Sequence, residues 1–372
     1  MSPIISSMEH DQTATIVEHL DVSYGPDEAH RIDFYQSSTL ITSEPAPPLL
    51  LFVHGGEWHS GSRKDHNKMA RELINKSDGD LTVGVLGYRL VEPTGNNQHP
   101  TALSDLFLAL RFLLLHSSVE TIPGHARDGY ITWTKHVEKF AIAEKYGFDP
   151  HRVVLMGHEV GAWMAAAVLL DARVEQWGKE SVVPAIGTTY KEGKKIVEKV
   201  MAWILVDGIY DLQSLLEESV VHRTYLSQAF SLSSSEHGTD FGQLKRASAT
   251  SWHARSATFY YNGEGPRVHV CHSTDNEKLS QRQSDEMVQY LDHELFHVSG
   301  ENNVSDVHFS PAEVNLKTGS WGSHAAMLTN EGFLSDVAEV VSDATGPKRK
   351  KEYEKKVKKR RAMRREAAYE FD

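Results

Sequence analysis

Two glycine-rich stretches of this sequence could do chemistry. The first is His54-Gly55-Gly56-Glu57-Trp58, directly after the apolar run Leu49 to Val53. Glycines there let backbone approach a substrate closely and aim N–H groups at a developing oxyanion. The second is Gly157-His158-Glu159-Val160-Gly161, which follows the strand-like Val153 to Met156 and leads into the small-residue helix that begins at Ala162. Strand, sharp turn and helix, with glycines relieving the crowding around one strained central residue, is the arrangement that presents a nucleophile. Here the central residue is Glu159. Either stretch alone reads as a glycine-rich turn; both together, each after a buried strand, predict one pocket. A base is also needed. The chain has 21 histidines, so position rather than type selects His324, which follows the last expected strand and precedes the last helix. His308 is the weaker alternative.

The elements that would position these residues alternate. Val22 to Tyr24 and Arg31 to Tyr35 read as a strand pair, and Leu49 to Val53 as a parallel strand buried on both faces. Further strands are expected at Leu81 to Leu86, Val153 to Met156, Ala202 to Val206, Val268 to Cys271 and Leu295 to Val298. Helices are expected at Asp65 to Ile74, Leu103 to Leu115, Lys135 to Tyr146, Ser284 to Leu291 and Glu331 to Val341. That order implies a mostly parallel, doubly wound α/β sheet with ligands at the strands' C-terminal ends. We read residues 1–21 as an extension, 22–346 as one domain with polar insertions at about 213–255 and 299–322, and 347–372 as a tail. The stretch from Leu226 to Thr250 is expected to form a lid.

The residue pattern resembles the kynurenine formamidases, arylformamidases of the α/β-hydrolase superfamily. His54-Gly-Gly-Glu-Trp58 fits their HGGxW pattern. Similar stretches are Tyr24-Gly25 leading to Ile32-Asp33-Phe34-Tyr35, Gly87-Tyr88-Arg89-Leu90, His99-Pro100 with Asp105, and Gly208-Ile-Tyr-Asp-Leu212. Gly157-His158-x-Val160-Gly161-Ala162, His272-Ser273 with Arg282-Gln283, and His324 complete the set. The resemblance implies an α/β-hydrolase fold and release of formate from N-formyl-L-kynurenine, without metal or organic cofactor. It implies oxyanion donors at the N–H groups of Gly56, Glu57 and Val160, and His324 as base. The acid is expected in His272-Ser-Thr-Asp275-Asn276-Glu277; the family's register puts Asn276 at its place, and Asp275 is our assignment, with Glu277 on the other flank.

Glu159 stands where that family has its nucleophilic Ser. A carboxylate attacking a formamide would have to expel an aniline, although the carboxylate is itself the better leaving group, so the intermediate should collapse backwards. Glu159 is therefore expected to fill the substrate's space, with its carboxylate among the oxyanion donors and paired to protonated His324. The alternative to a hydrolase is a catalytically degenerate homologue that binds a small ligand or a protein.

Composition narrows the partners. The net charge is −12 at pH 7, yet residues 348–372 hold 12 Lys/Arg against 5 Asp/Glu, so an acidic body carries a basic tail. The basic run at 348–365 is the one hint of nucleic-acid contact or nuclear targeting; a solvated tail is the simpler reading. Cys271 is the single cysteine and fits a reducing compartment and a core position. No apolar run spans a bilayer. A cytoplasmic protein acting on a small aromatic amide or ester is expected, and a homodimer is compatible with the sequence.

Overall fold

Strand β3 (Pro48–Val53) is buried along its whole length, and its side chains alternate between two separate cores. Leu49, Leu51 and Val53 join one cluster, Leu50 and Phe52 the other. A strand with no solvated face has to lie inside a sheet covered on both sides. Val153 and Leu155 against Val154 and Met156 repeat this two-residue period.

The computed structural model describes residues 15–40, 46–115, 122–126, 129–133, 141–170, 190–232, 241–252, 266–300 and 312–346. The basic tail, His308 and residues 135–140 of the expected third helix lie outside them. The chain begins with β1 (Ile16–Ser23), β2 (Arg31–Ser37), β3, α1 (Asn67–Lys76), β4 (Thr82–Leu86) and α2 (Thr101–Leu114). A two-stranded hairpin, β5 (Ile122–Ala126) and β6 (Gly129–Trp133), precedes α3 (Ala141–Lys145). The central part is β7 (Asp149–His158), α4 (Val160–Leu169), α5 (Tyr190–Val197) and β8 (Val200–Val206). Then come α6 (Leu212–Glu218), α7 (Arg223–Phe230) and α8 (Phe241–Ala247). The last elements are β9 (Arg267–Ser273), α9 (Gln281–Gly300), β10 (Glu313–Gly319) and α10 (Glu331–Thr345).

Eight strands form one sheet in the order β1-β2-β4-β3-β7-β8-β9-β10. The pairs β1–β2 and β2–β4 are antiparallel; from β4 to β10 every pair is parallel. Helices α2 and α4 cover one face, and α1 and α10 the other. This is an α/β-hydrolase fold. Among the described residues no helix is long and apolar enough to cross a membrane.

Three expectations need correction. The first strand starts at Ile16 rather than Val22, interrupted by a register shift between His19 and Val22. Leu295 to Val298 is not a strand but the end of α9, in which Met287, Leu291 and Leu295 recur every four residues and are all buried. The last strand is instead β10, within the region expected to be a polar insertion. It is an edge strand with little burial, so it lacks the apolar run that announces a central strand.

The turn between β7 and α4 depends on the closeness of β3. A Cβ on Gly161 would run into the backbone carbonyls of Val53 and His54, and one on Gly157 into the backbone of Gly161. Gly161→Ala should cost about 3 kcal/mol through this overpacking, read as a lower urea midpoint; a wild-type midpoint would contradict the packing argument.

Candidate active site

Glu159 is the turn itself. Its backbone is at φ 53, ψ −111, a region that costs a non-glycine residue on the order of 1–3 kcal/mol. Surrounding bonds hold it there: its N–H donates to Val206 O at 2.9 Å, and its carbonyl accepts from Ala162 and Trp163 at 3.1 and 3.2 Å. The side chain is 3% exposed and crosses to the 54–58 loop.

That loop is shaped to receive it. Gly56, Glu57 and Trp58 all have positive φ, at 117°, 56° and 65°, which turns successive N–H groups towards one point. Tyr88 Oη donates to His54 O at 2.9 Å, and its ring stacks on the His54 imidazole at 4.4 Å. Trp58 is wedged edge-on against Trp163 and Phe230, at 5.5 and 5.2 Å. The N–H groups of Gly56 and Glu57 both donate to one Glu159 carboxylate oxygen, the latter at 3.1 Å. Glu159 thus sits among the donors expected for an oxyanion. Val160, the third expected donor, is the first residue of α4.

His324 arrives from the other side, in the loop after β10, and is 3% exposed. Its N–H donates to the Glu277 carboxylate at 2.9 Å. Its ring lies 4.4 Å from that of His158, whose Nε2 donates to His324 O at 3.1 Å. The expected ion pair with Glu159 is not formed. Instead His324 Nδ1 lies 3.1 Å from Asn276 Nδ2 and 3.5 Å from Asp207 Oδ2.

Asp275, assigned as the acid from the sequence, has its hydrogen bonds elsewhere. Its Oδ2 accepts from Ser320 Oγ and Gly322 N at 2.5 and 3.1 Å, tying the loop after β9 to the one after β10. Asp207, which the sequence reading did not single out, is the carboxylate nearest the ring nitrogen, 3.5 Å away. The signal was there: Asp207 ends the strand beside the elbow strand, at the sheet edge where ligands bind.

Burial sets the charges. It lowers His158 well below the usual imidazole range, with His324 adding to the effect, and it also lowers His54. Burial, then His54, brings His66 down to about 4. On the outer side, burial and the Glu159 and Glu57 carboxylates keep the Tyr225 phenol protonated; its hydroxyl meets His222 Nδ1 at 3.0 Å. His158, Asp207 and His324 offer ligand atoms within 4.8 Å of one another. A metal among them would have to displace the amide of Asn276 from His324 Nδ1 and the bond from His158 to His324 O, so these residues fit a hydrogen-bonded relay better.

With strand order, elbow and loop in place, the comparisons agree. A family profile described as "alpha/beta hydrolase fold" matches residues 50–237, and the chain belongs to that family. Within it the chain is similar to kynurenine formamidases. It is 22% identical to that of Scheffersomyces stipitis over 326 residues, covering 85% of this chain and 97% of that one. Against that of Danio rerio the identity is 27% over 231 residues, covering 62% and 59%. Among solved structures, a truncated carbohydrate esterase from gut microbiota aligns with TM-score 0.58 at 13% identity, over 90% of this chain and 98% of that one.

The buried histidines dictate a pH response. The unfolded chain binds protons on them near pH 6.5, whereas folded His66 refuses its proton until about 4. Their contribution is whole above 6.5 and is lost as the pH falls towards 4. The urea midpoint should therefore drop between pH 7 and pH 4.5, and His66→Gln should flatten the slope; an unchanged slope in that variant would refute the assignment.

Proposed function

We propose that this chain is an arylformamidase-like α/β hydrolase that has given up acyl transfer and binds a small aromatic ligand beside Glu159, where the 54–58 loop meets helix α7. The observation carrying this is the Glu159 carboxylate bonded to the N–H groups of Gly56 and Glu57. Such charge-assisted bonds are worth about 1.5–3 kcal/mol each. A substrate carbonyl, being neutral, makes weaker bonds and does not displace the carboxylate. No hydroxyl stands at the elbow to attack, and a carboxylate adduct on a formamide reverts to reactants. What supports an aromatic ligand is the neighbourhood of the carboxylate: Tyr225 and His222 lie beside Glu159, with the buried Trp58 and Phe230 packed behind them.

The second reading is retained formamidase activity, release of formate from N-formyl-L-kynurenine. The similarity to kynurenine formamidases over 85% of the chain favours it. It would need water activated by His324, and losing the nucleophile alone removes most of the rate, leaving on the order of 10³-fold over the uncatalysed reaction.

Purified protein incubated with N-formyl-L-kynurenine should release formate at the buffer rate, while its tryptophan fluorescence changes saturably as kynurenine is added. Turnover that disappears in His324→Ala would overturn the proposal. Glu159→Ser should create esterase activity on p-nitrophenyl acetate, at least about a hundredfold over the parent, because it supplies the hydroxyl and vacates the two N–H groups together.

A further inference from the structure

The Nδ1 atom of His324 has two suitors that demand opposite things of it. Asn276 Oδ1 accepts from the N–H groups of Lys278 and Leu279, at 2.9 and 3.0 Å. That anchors the amide with its NH2 group towards His324, so at 3.1 Å Asn276 asks Nδ1 to be an acceptor. The proton would then sit on Nε2, and the ring could not serve as a base towards the pocket. Asp207 asks the reverse. It is an acceptor only, and at 3.5 Å its Oδ2 needs Nδ1 to carry the proton.

Burial decides between them. Asp207 is 0% exposed. Its Oδ1 is satisfied by Ser273 N at 2.9 Å with His272 Nδ1 at 3.3 Å, but among the described residues Oδ2 has no hydrogen-bond partner. Asn276 is only partly buried, so its spare N–H can turn to water at little cost. Stranding a buried carboxylate oxygen against an imidazole lone pair costs more than releasing a half-exposed amide hydrogen. A movement of a few tenths of an ångström closes the 3.5 Å gap to an ordinary charge-assisted bond.

We infer that Asp207, at the end of β8, is the positioning residue of His324: it holds the proton on Nδ1 and leaves Nε2 as a base, in place of the acid that Asn276 no longer supplies. The relay behind Glu159 is then complete, and the elbow residue is the one missing part. The inference rests on the reading of Glu159 as the block. Among the described residues, His158 from β7 and His272 from the end of β9 also face the ring, while Glu277 takes the backbone N–H of His324. His158, lowered by burial, stays neutral beside it. The carboxylate beside the ring nitrogen is therefore that of Asp207.

Two measurements test this. Long-range 15N–1H spectra of the parent protein at pH 8, assigned with His324→Gln, should show His324 protonated on Nδ1; protonation on Nε2 would mean that Asn276 prevails and would overturn the inference with no other variant needed. In the Glu159→Ser background, adding Asp207→Asn should lower kcat about 10²–10⁴-fold and move the acidic limb of the pH profile, where the base loses its proton, while adding Asp275→Asn leaves both unchanged. Equal losses from the two additions would also overturn it. A folded, inactive Glu159→Ser protein would sink the proposed function, whereas the spectra decide the Asp207 assignment independently.

Discussion

Everything in this site follows from how tightly β7 turns into α4 beside the end of β3. The turn places residue 159 at the sheet's C-terminal edge, facing the 54–58 loop, whatever side chain residue 159 carries. A serine there would present a hydroxyl short of the loop's N–H groups and leave space for a carbonyl. Two more methylenes and a carboxylate reach across that space and take the N–H groups themselves. The same backbone that would organise a reaction thus organises its obstruction. The strained φ of 53° is tolerated for the same reason in either case, because bonds from β8 and α4 hold the peptide on both sides.

Much of this was legible in the sequence because glycine spacing and two-face apolar runs are local signals. Leu49 to Val53 and Val153 to Met156 announced central strands, and the glycines at 55, 56, 157 and 161 announced the close approach of the loop and the turn. Two kinds of information were not local. The edge strand β10 buries little and so carries no apolar pattern, while the apolar stretch from Leu295, which passes for a strand, continues a helix whose Met287, Leu291 and Leu295 are buried. The partner of His324 depends on what lies across the sheet. Asp275 is next to Asn276 in sequence but points to Ser320, while Asp207, far along the chain, ends the neighbouring strand.

Two buried carboxylates now stand in one pocket with separate sources of compensation. Glu159 is answered by backbone N–H groups, which carry no formal charge and do not titrate. Asp207 is answered by a backbone N–H and by imidazoles. Keeping the two acids on different partners, with His324 turned towards Asp207, avoids asking one imidazolium to neutralise both.

Gly55 carries a consequence of another kind. Its φ is not positive, so conformation alone does not require glycine there; the demand comes from bulk, because a Cβ would collide with the Glu159 side chain and approach the His158 carbonyl. The nearest atoms include the Glu159 Cβ, which every residue but glycine carries, so the demand for glycine at 55 stands whether residue 159 is the long acid or a serine. The acid adds a second collision, with its carboxylate oxygen, but the close approach of the two segments already fixes residue 55 on its own.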